Sequence, residues 1–286
     1  MNPAHPHTHQ HVRHDNDDSD GLAELLDLDA EVLAEHTASL LAWLPLDTGP
    51  RQVVDLGCGT GAGTFALHDR FPDAYVTAVD ASAAHLRRLR AKACARGLEE
   101  RVRTVQADLD DTAWPDLGTP DLVWASASLH HLAHPGRALA AVRELLAPGG
   151  LFAVVELAGF PRFLPEDAPG DRPGLEERCH AATDRLQAEH TPHRGADWGP
   201  MLTAAGFTVE GRRTVVVDIE GTRSEAVGRY ALAGLRRIRG AAATALSAED
   251  LTALDRLLDT TGPHSILRRD DLAVRTERMV WAARRT

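Results

Sequence analysis

A chain of 286 residues with 43% hydrophobic but only 5% aromatic content can form one enlarged α/β domain with a core of Leu, Val and Ala. Its formal charge of −11 argues against a nucleic-acid substrate, which demands a basic face. No apolar run reaches the roughly 18 residues of a membrane span, and no signal-peptide core opens the chain. Residues 1–20 hold His5, His7, His9, His11 and His14, then Asp15, Asp17, Asp18 and Asp20. Spaced histidines admit a metal-binding tract, but the composition is that of a solvated, disordered tail. From Leu22 to Leu44 apolar residues recur at helical spacing, with a break expected near Asp27–Asp29. Val53–Leu56 reads as a buried strand, 62–70 as a helix, 75–79 as a second strand, and Ser82 as the cap of the next helix. Strands follow at 102–106, 121–125 and 151–156, with a helix over 135–146 opened by Pro135. Alternating strands and helices predict a parallel sheet with right-handed crossovers.

Beyond Glu156 the pattern changes. Residues 159–174 carry four prolines and three glycines and read as a long mobile loop. A helix over 175–190, a short helix at 200–205, a strand at 207–219, a mainly helical stretch at 223–258 and a closing strand at 272–283 complete the chain. Cys58, Cys94 and Cys179 lack metal spacing, so a reduced, cytoplasmic protein without a membrane partner is expected, as monomer or homodimer.

The stretch with most chemical content is RQVVDLGCGTGAG, residues 51–63. Gly57, Gly59, Gly61 and Gly63 let the backbone turn tightly after a strand, and the following helix points free N–H groups back at the turn. Gly57-x-Gly59-x-x-Ala62 with Asp80 downstream also satisfies a dinucleotide fingerprint. Asp55 argues against that reading, because a carboxylate two residues before the first glycine repels a pyrophosphate and attracts an ammonium. Asp108, after the next strand, adds a second acidic site. A cationic amino acid joined to a nucleoside, as in S-adenosylmethionine, suits both.

VVDLGCGTG, AVDAS, QADLDD, DLVWASASLHHL and LLAPGGLFAVVE stand in the order of five motifs over Val53–Glu156. Through them the chain resembles the class I S-adenosylmethionine-dependent methyltransferases of the small-molecule type. The resemblance implies a Rossmann-like sheet of seven strands, mostly parallel with an antiparallel last strand beside the fifth, and helical cap insertions. The core would span about 51–158, 200–220 and 272–284, and the cap 21–46, 159–199 and 221–271. It further implies that Asp55 holds the methionine amino group, that Gly57 and Gly59 line the methionine portion, and that Asp80 accepts from the ribose hydroxyls with Ala81 adjacent. Asp108 would accept from the adenine amino group with Leu109 beside it, and Ser126 would lie near the sulfonium. Ser82 is equally a plain helix cap.

His130 and His131 follow the fourth strand, where such enzymes place groups near the transferred methyl. An imidazole with a pKa near 6.5 is suited to take a hydroxyl proton. His131 is the better cofactor contact, His130 the alternative base, and Glu156 a group that orients a histidine or binds the acceptor. Surface or packing roles compete for all three. No Pro-Pro motif follows the fourth strand, where Ala125-Ser126-Ala127-Ser128 stands instead, and no Pro-Cys nucleophile occurs. No metal is expected. The reading is methyl transfer to a small molecule of secondary metabolism, first to a hydroxyl. Nitrogen or carbon acceptors, a non-catalytic binder of the cofactor and a nicotinamide dehydrogenase are its competitors.

Overall fold

The computed structural model describes residues 9–188, 191–221 and 224–286, and side chains from Gly21 onward except Gln187. Five strands lie parallel: β1 (Gln52–Leu56), β2 (Tyr75–Asp80), β3 (Val102–Gln106), β4 (Leu122–Ser126) and β5 (Leu151–Leu157). Two long antiparallel strands, β6 (Phe207–Glu220) and β7 (Ala273–Arg285), complete the order β3-β2-β1-β4-β5-β7-β6. The closing strand thus slips between β5 and β6. β5 is buried at every position, as its uninterrupted LFAVVEL run requires of a strand covered on both faces.

Crossover helices α3 (Ala62–Arg70), α4 (Ala83–Ala95) and α5 (Pro135–Leu145) cover the sheet with α2 (Ala34–Trp43) and α7 (Trp198–Ala204). The Ser82 hydroxyl accepts from the His85 N–H and caps α4. Pro135 sits in the first turn of α5, while the Asp110 carboxylate accepts from the N–H groups of Ala133 and His134 just ahead of it. The chain winds one way from β1 to β3 and then crosses to β4, so the strand order reverses between β1 and β4. Ligands of such sheets bind outside the strand ends at that switch point.

A second apolar cluster unites α1 (His9–Val32), α6 (Leu175–Gln187), α8 (Glu225–Ala241) and α9 (Ala248–Leu258) with Phe163, Leu164 and the start of β7. β6 and β7 carry it: they stay paired through Glu220↔Ala273, past the last β5 partner at Arg278.

Three sequence expectations need correction. The helix expected to break near Asp27–Asp29 runs on to Val32, because both carboxylates have tertiary partners instead of ending the helix. Asp27 accepts from Thr60, Arg88 and Lys92, the last being the chain's one lysine. Asp29 accepts from Arg278 and Tyr230. The expected tail over 1–20 is helical from His9, and no proline or glycine interrupts residues 9–20; residues 1–8 lie outside the described residues, as does His190 at the expected end of α6. The 159–174 segment is pinned: the buried Glu176 carboxylate accepts from the N–H groups of Phe163 and Leu164, and Arg162 bridges Arg275.

Asp250 fastens this segment to α9. It is 4% exposed and accepts from Arg178 and Arg172, each at 2.8 Å. Arg178 foremost, then Arg172 and Ser247, outweigh burial and pull its carboxyl down from 3.8 to about 2. The folded value lies below the unfolded one, so the stabilisation is present above pH 3.8 and is lost as pH falls toward 2. Asp250→Ala should cost about 1–2 kcal/mol at neutral pH, since both arginines keep access to solvent, read as a lowered urea midpoint; an unchanged midpoint would refute the clasp.

Candidate functional site

The glycine turn after β1 is closed by its own chemistry. Gly57, Gly59 and Gly61 have φ of +68°, +52° and +100°, a region costly for other residues. A Cβ on Gly57 would lie 2.3 Å from that of Ser128, so the turn packs directly against the segment after β4. Gly59 N–H donates to Asp80 at 2.8 Å, Cys58 N–H to the Val79 carbonyl and Gly61 N–H to the Cys58 carbonyl. These three donors are spent within the protein and hold the turn against the second strand.

The two carboxylates beside the turn differ in charge state. Burial pushes Asp55, 2% exposed, up to about 7, and the negative Asp80 adds to this, although the Thr64 hydroxyl donates to it at 2.6 Å. Burial also works against ionisation of Asp80, but His85 and the N–H groups of Ser82 and Gly59 more than offset it and hold its pKa below the usual value. Asp80 is therefore held in its anionic form, whereas burial keeps part of Asp55 protonated near neutral pH and a neighbouring cation would favour its ionisation.

Asp55, Gly57, Gly59, Asp80, Ala81, Asp108, Leu109, Ser126 and His131 all line one cleft of about 460 Å³, a size suited to a small-molecule cofactor. Asp108 accepts from the N–H of Asp110. Asp110 also borders the cleft, but its carboxylate is spent on the start of α5. A buried acid at one end, an ionised acid beside the turn and a third acid beyond it fit a cationic amino-acid nucleoside such as S-adenosylmethionine. If Asp55 faces the ammonium, affinity for S-adenosylhomocysteine should rise about fivefold or more from pH 6 to 7.5. Binding below pH 7 should release a proton, visible in calorimetry as a buffer-dependent enthalpy. Asp55→Asn should flatten both trends, and a flat wild-type profile would refute the assignment.

At the ends of β4 and β5, Glu156 is 1% and His130 2% exposed. One Glu156 oxygen accepts from the N–H groups of Leu129 at 2.8 Å, Ser128 at 3.1 Å and His130 at 3.3 Å. The other lies 2.7 Å from His130 Nδ1. Glu156 lines neither this cleft nor the neighbouring cavity, and of its two expected roles, orienting a histidine or binding the acceptor, its contact with His130 matches the first. The His130 and His131 rings stack at 4.2 Å between centroids.

A cavity of about 250 Å³ adjoins the cleft, with His130 in its wall. Leu22, Leu26, Asp29, Ala127, His131 and Arg278 border both spaces. Its remaining walls are mostly apolar, including Leu25, Leu157, Phe160, Phe163 and Ile238. Ala127 holds φ +51°, a non-glycine residue in the left-handed region at the junction of the two spaces. Sequence reading missed Asp29, Arg278 and Tyr230; β7 carries Arg275, Glu277, Arg284 and Arg285 as well, so nothing local singles out Arg278. Among the described residues no group of three or more His, Cys, Asp or Glu is placed to hold a metal ion, and no helix is long and apolar enough to cross a membrane.

A family described as a methyltransferase domain matches residues 53–150. A trans-aconitate 2-methyltransferase of Methylobacterium nodulans is 33% identical over 191 residues, which cover 66% of this chain and 69% of that protein. One of Methylobacterium radiotolerans is 40% identical over 117 residues, 41% of this chain and 42% of that protein. The chain thus spans less than half the length of several curated relatives it matches. Among solved structures, a putative methyltransferase from Bacillus halodurans has a TM-score of 0.56 at 19% identity, covering 87% of this chain and 98% of that one. A [4+2]-cyclase shares the fold with a TM-score of 0.50 at 21% identity, covering 87% of this chain and 80% of that one.

Proposed function

Because this chain belongs to the class I S-adenosylmethionine-dependent methyltransferase family, we propose that it methylates an oxygen of a small, mostly apolar acceptor. The observation that carries the reading is the shared wall between an acid-lined cleft and an apolar cavity into which a Glu156-held histidine is set. Bound in the cleft, S-adenosylmethionine supplies an activated methyl group on its sulfonium. Asp55 would hold the amino group, Asp80 the ribose hydroxyls and Asp108 the adenine amino group, while Gly57 and Gly59 would let the methionine portion lie against backbone. Leu22, Leu26 and the apolar cavity walls keep water from the junction and align the acceptor.

Glu156 fixes the proton of His130 on Nδ1, which leaves Nε2 as the proton acceptor. His130 Nε2 would take the proton of the acceptor hydroxyl, while the sulfonium, when bound, would supply the methyl group and leave as the neutral thioether. His131 borders both spaces and would stand between cofactor and acceptor. The relatives are named for trans-aconitate; this cavity's mostly apolar lining suits an acceptor with an apolar body.

Calorimetry tests the cofactor reading: S-adenosylhomocysteine should bind at micromolar strength and NAD should not. Labelled-methyl transfer across hydroxylated acceptors, with amines and carbon acids as controls, then tests the chemistry. Binding without transfer to any acceptor would favour a non-catalytic binder.

A further inference from the structure

We infer that Arg278 binds a carboxylate of the acceptor, so that the acceptor is a mostly apolar molecule carrying one anionic group close to the oxygen that is methylated. The inference rests on the methyltransferase reading and deepens it.

Arg278 lies on β7 between Leu157 of β5 and Val215 of β6, is 8% exposed, and borders both the cleft and the cavity. Its Nη2 donates to Asp29 at 2.8 Å. A guanidinium has five N–H donors in a planar fork, and among the described residues no second side-chain or carbonyl acceptor meets it. None of its nitrogens is sealed away from solvent without a partner. The remaining donors therefore open on to the two spaces that the residue borders, where a carboxylate has matching geometry.

Two neighbours prepare the group for that task. Tyr230, on α8, donates its hydroxyl to the same Asp29 oxygen, so α1 and α8 together hold the carboxylate that aims Arg278. Asp29 also offsets the guanidinium charge. Without it, a cation would stand unbalanced beside the sulfonium of the neighbouring cleft. With it, the pair is neutral, and an acceptor carboxylate balances the sulfonium when both are bound. Elsewhere the cavity offers Leu25, Phe160, Phe163 and Ile238, which would accept an apolar body but leave an acid unpaired at high cost. Arg237 borders the cavity too, yet it is exposed and its charge is screened by solvent.

The test uses the full chain saturated with S-adenosylhomocysteine and matched probes: hydroxybenzoic, hydroxynaphthoic and C6–C12 straight-chain acids, each beside its primary carboxamide. At least one acid should bind about tenfold or more tighter than its amide. Arg278→Met should bring that ratio near one, and Arg278→Lys should retain a reduced preference. Equal binding of every acid–amide pair by the wild type, or a preference that survives in Arg278→Met, overturns the inference. Should Arg278→Met fail to fold, Arg278→Gln, which keeps an N–H donor but no charge, decides: its acid–amide ratio should fall near one, and a ratio equal to that of the wild type counts against Arg278. Homocysteine-product binding is measured first and separately, so a failure of the family reading shows before any acid is added.

Discussion

Replacing Asp80 with alanine is expected to weaken S-adenosylhomocysteine binding by about a hundredfold or more, the loss of two charge-assisted hydrogen bonds at about 1.5–3 kcal/mol each. Two effects add. The direct one is loss of the ribose partner. The indirect one is loss of the acceptor for the Gly59 and Ser82 N–H groups, at 2.8 and 2.7 Å, which ties the glycine turn to the second strand. Asp80→Asn separates them, since it keeps one carbonyl oxygen for a backbone donor but removes the charge; an intermediate loss of about tenfold is expected. Calorimetry gives both values, and circular dichroism shows whether the sheet survives. If Asp80→Ala binds within threefold of wild type while folded, the ribose assignment is wrong.

The nucleotide-type half of this molecule was legible because its chemistry is carried by backbone. A glycine at φ +68° or +52° has few substitutes, and carboxylates placed at fixed offsets from a strand end keep that place when the strand folds. Asp55, Asp80 and Asp108 therefore reach one cleft from three different strand ends. The acceptor side was illegible for the opposite reason. Asp29, Tyr230 and Arg278 come from α1, α8 and β7, far apart in sequence, and no local spacing relates them. Asp27 and Asp29 looked like helix breakers because aspartate favours caps in isolated helices; tertiary partners reversed that preference. The Pro- and Gly-rich 159–174 segment likewise looked loose, since nothing near it announces that Glu176 will reach back to the Phe163 and Leu164 N–H groups. Glu156 stood between, visible as a strand-end acid but not as a group spent on its own fold.

That last residue supplies the sharpest test of the chemistry. Glu156→Gln is expected to lower kcat/KM about 10²–10⁴-fold, the span of a lost general base, while leaving S-adenosylhomocysteine affinity within about threefold. Its carbonyl oxygen still accepts from the Ser128, Leu129 and His130 N–H groups, so the turn that carries the histidines is retained at a cost of about 1–2 kcal/mol. Opposite His130 Nδ1, however, an amide N–H₂ replaces the carboxylate oxygen now 2.7 Å away. The ring must then accept at Nδ1 and carry its proton on Nε2, the nitrogen required to be bare for proton removal. Nitrogen NMR of the labelled His130 ring reads this tautomer exchange without any acceptor present. Glu156→Ala is the less informative variant, because it strands three backbone donors in the interior and unravels the turn itself. A Glu156→Gln enzyme with the exchanged tautomer and undiminished turnover would show that alignment alone drives the transfer. A fall in rate that tracks the exchange would place the proton on His130.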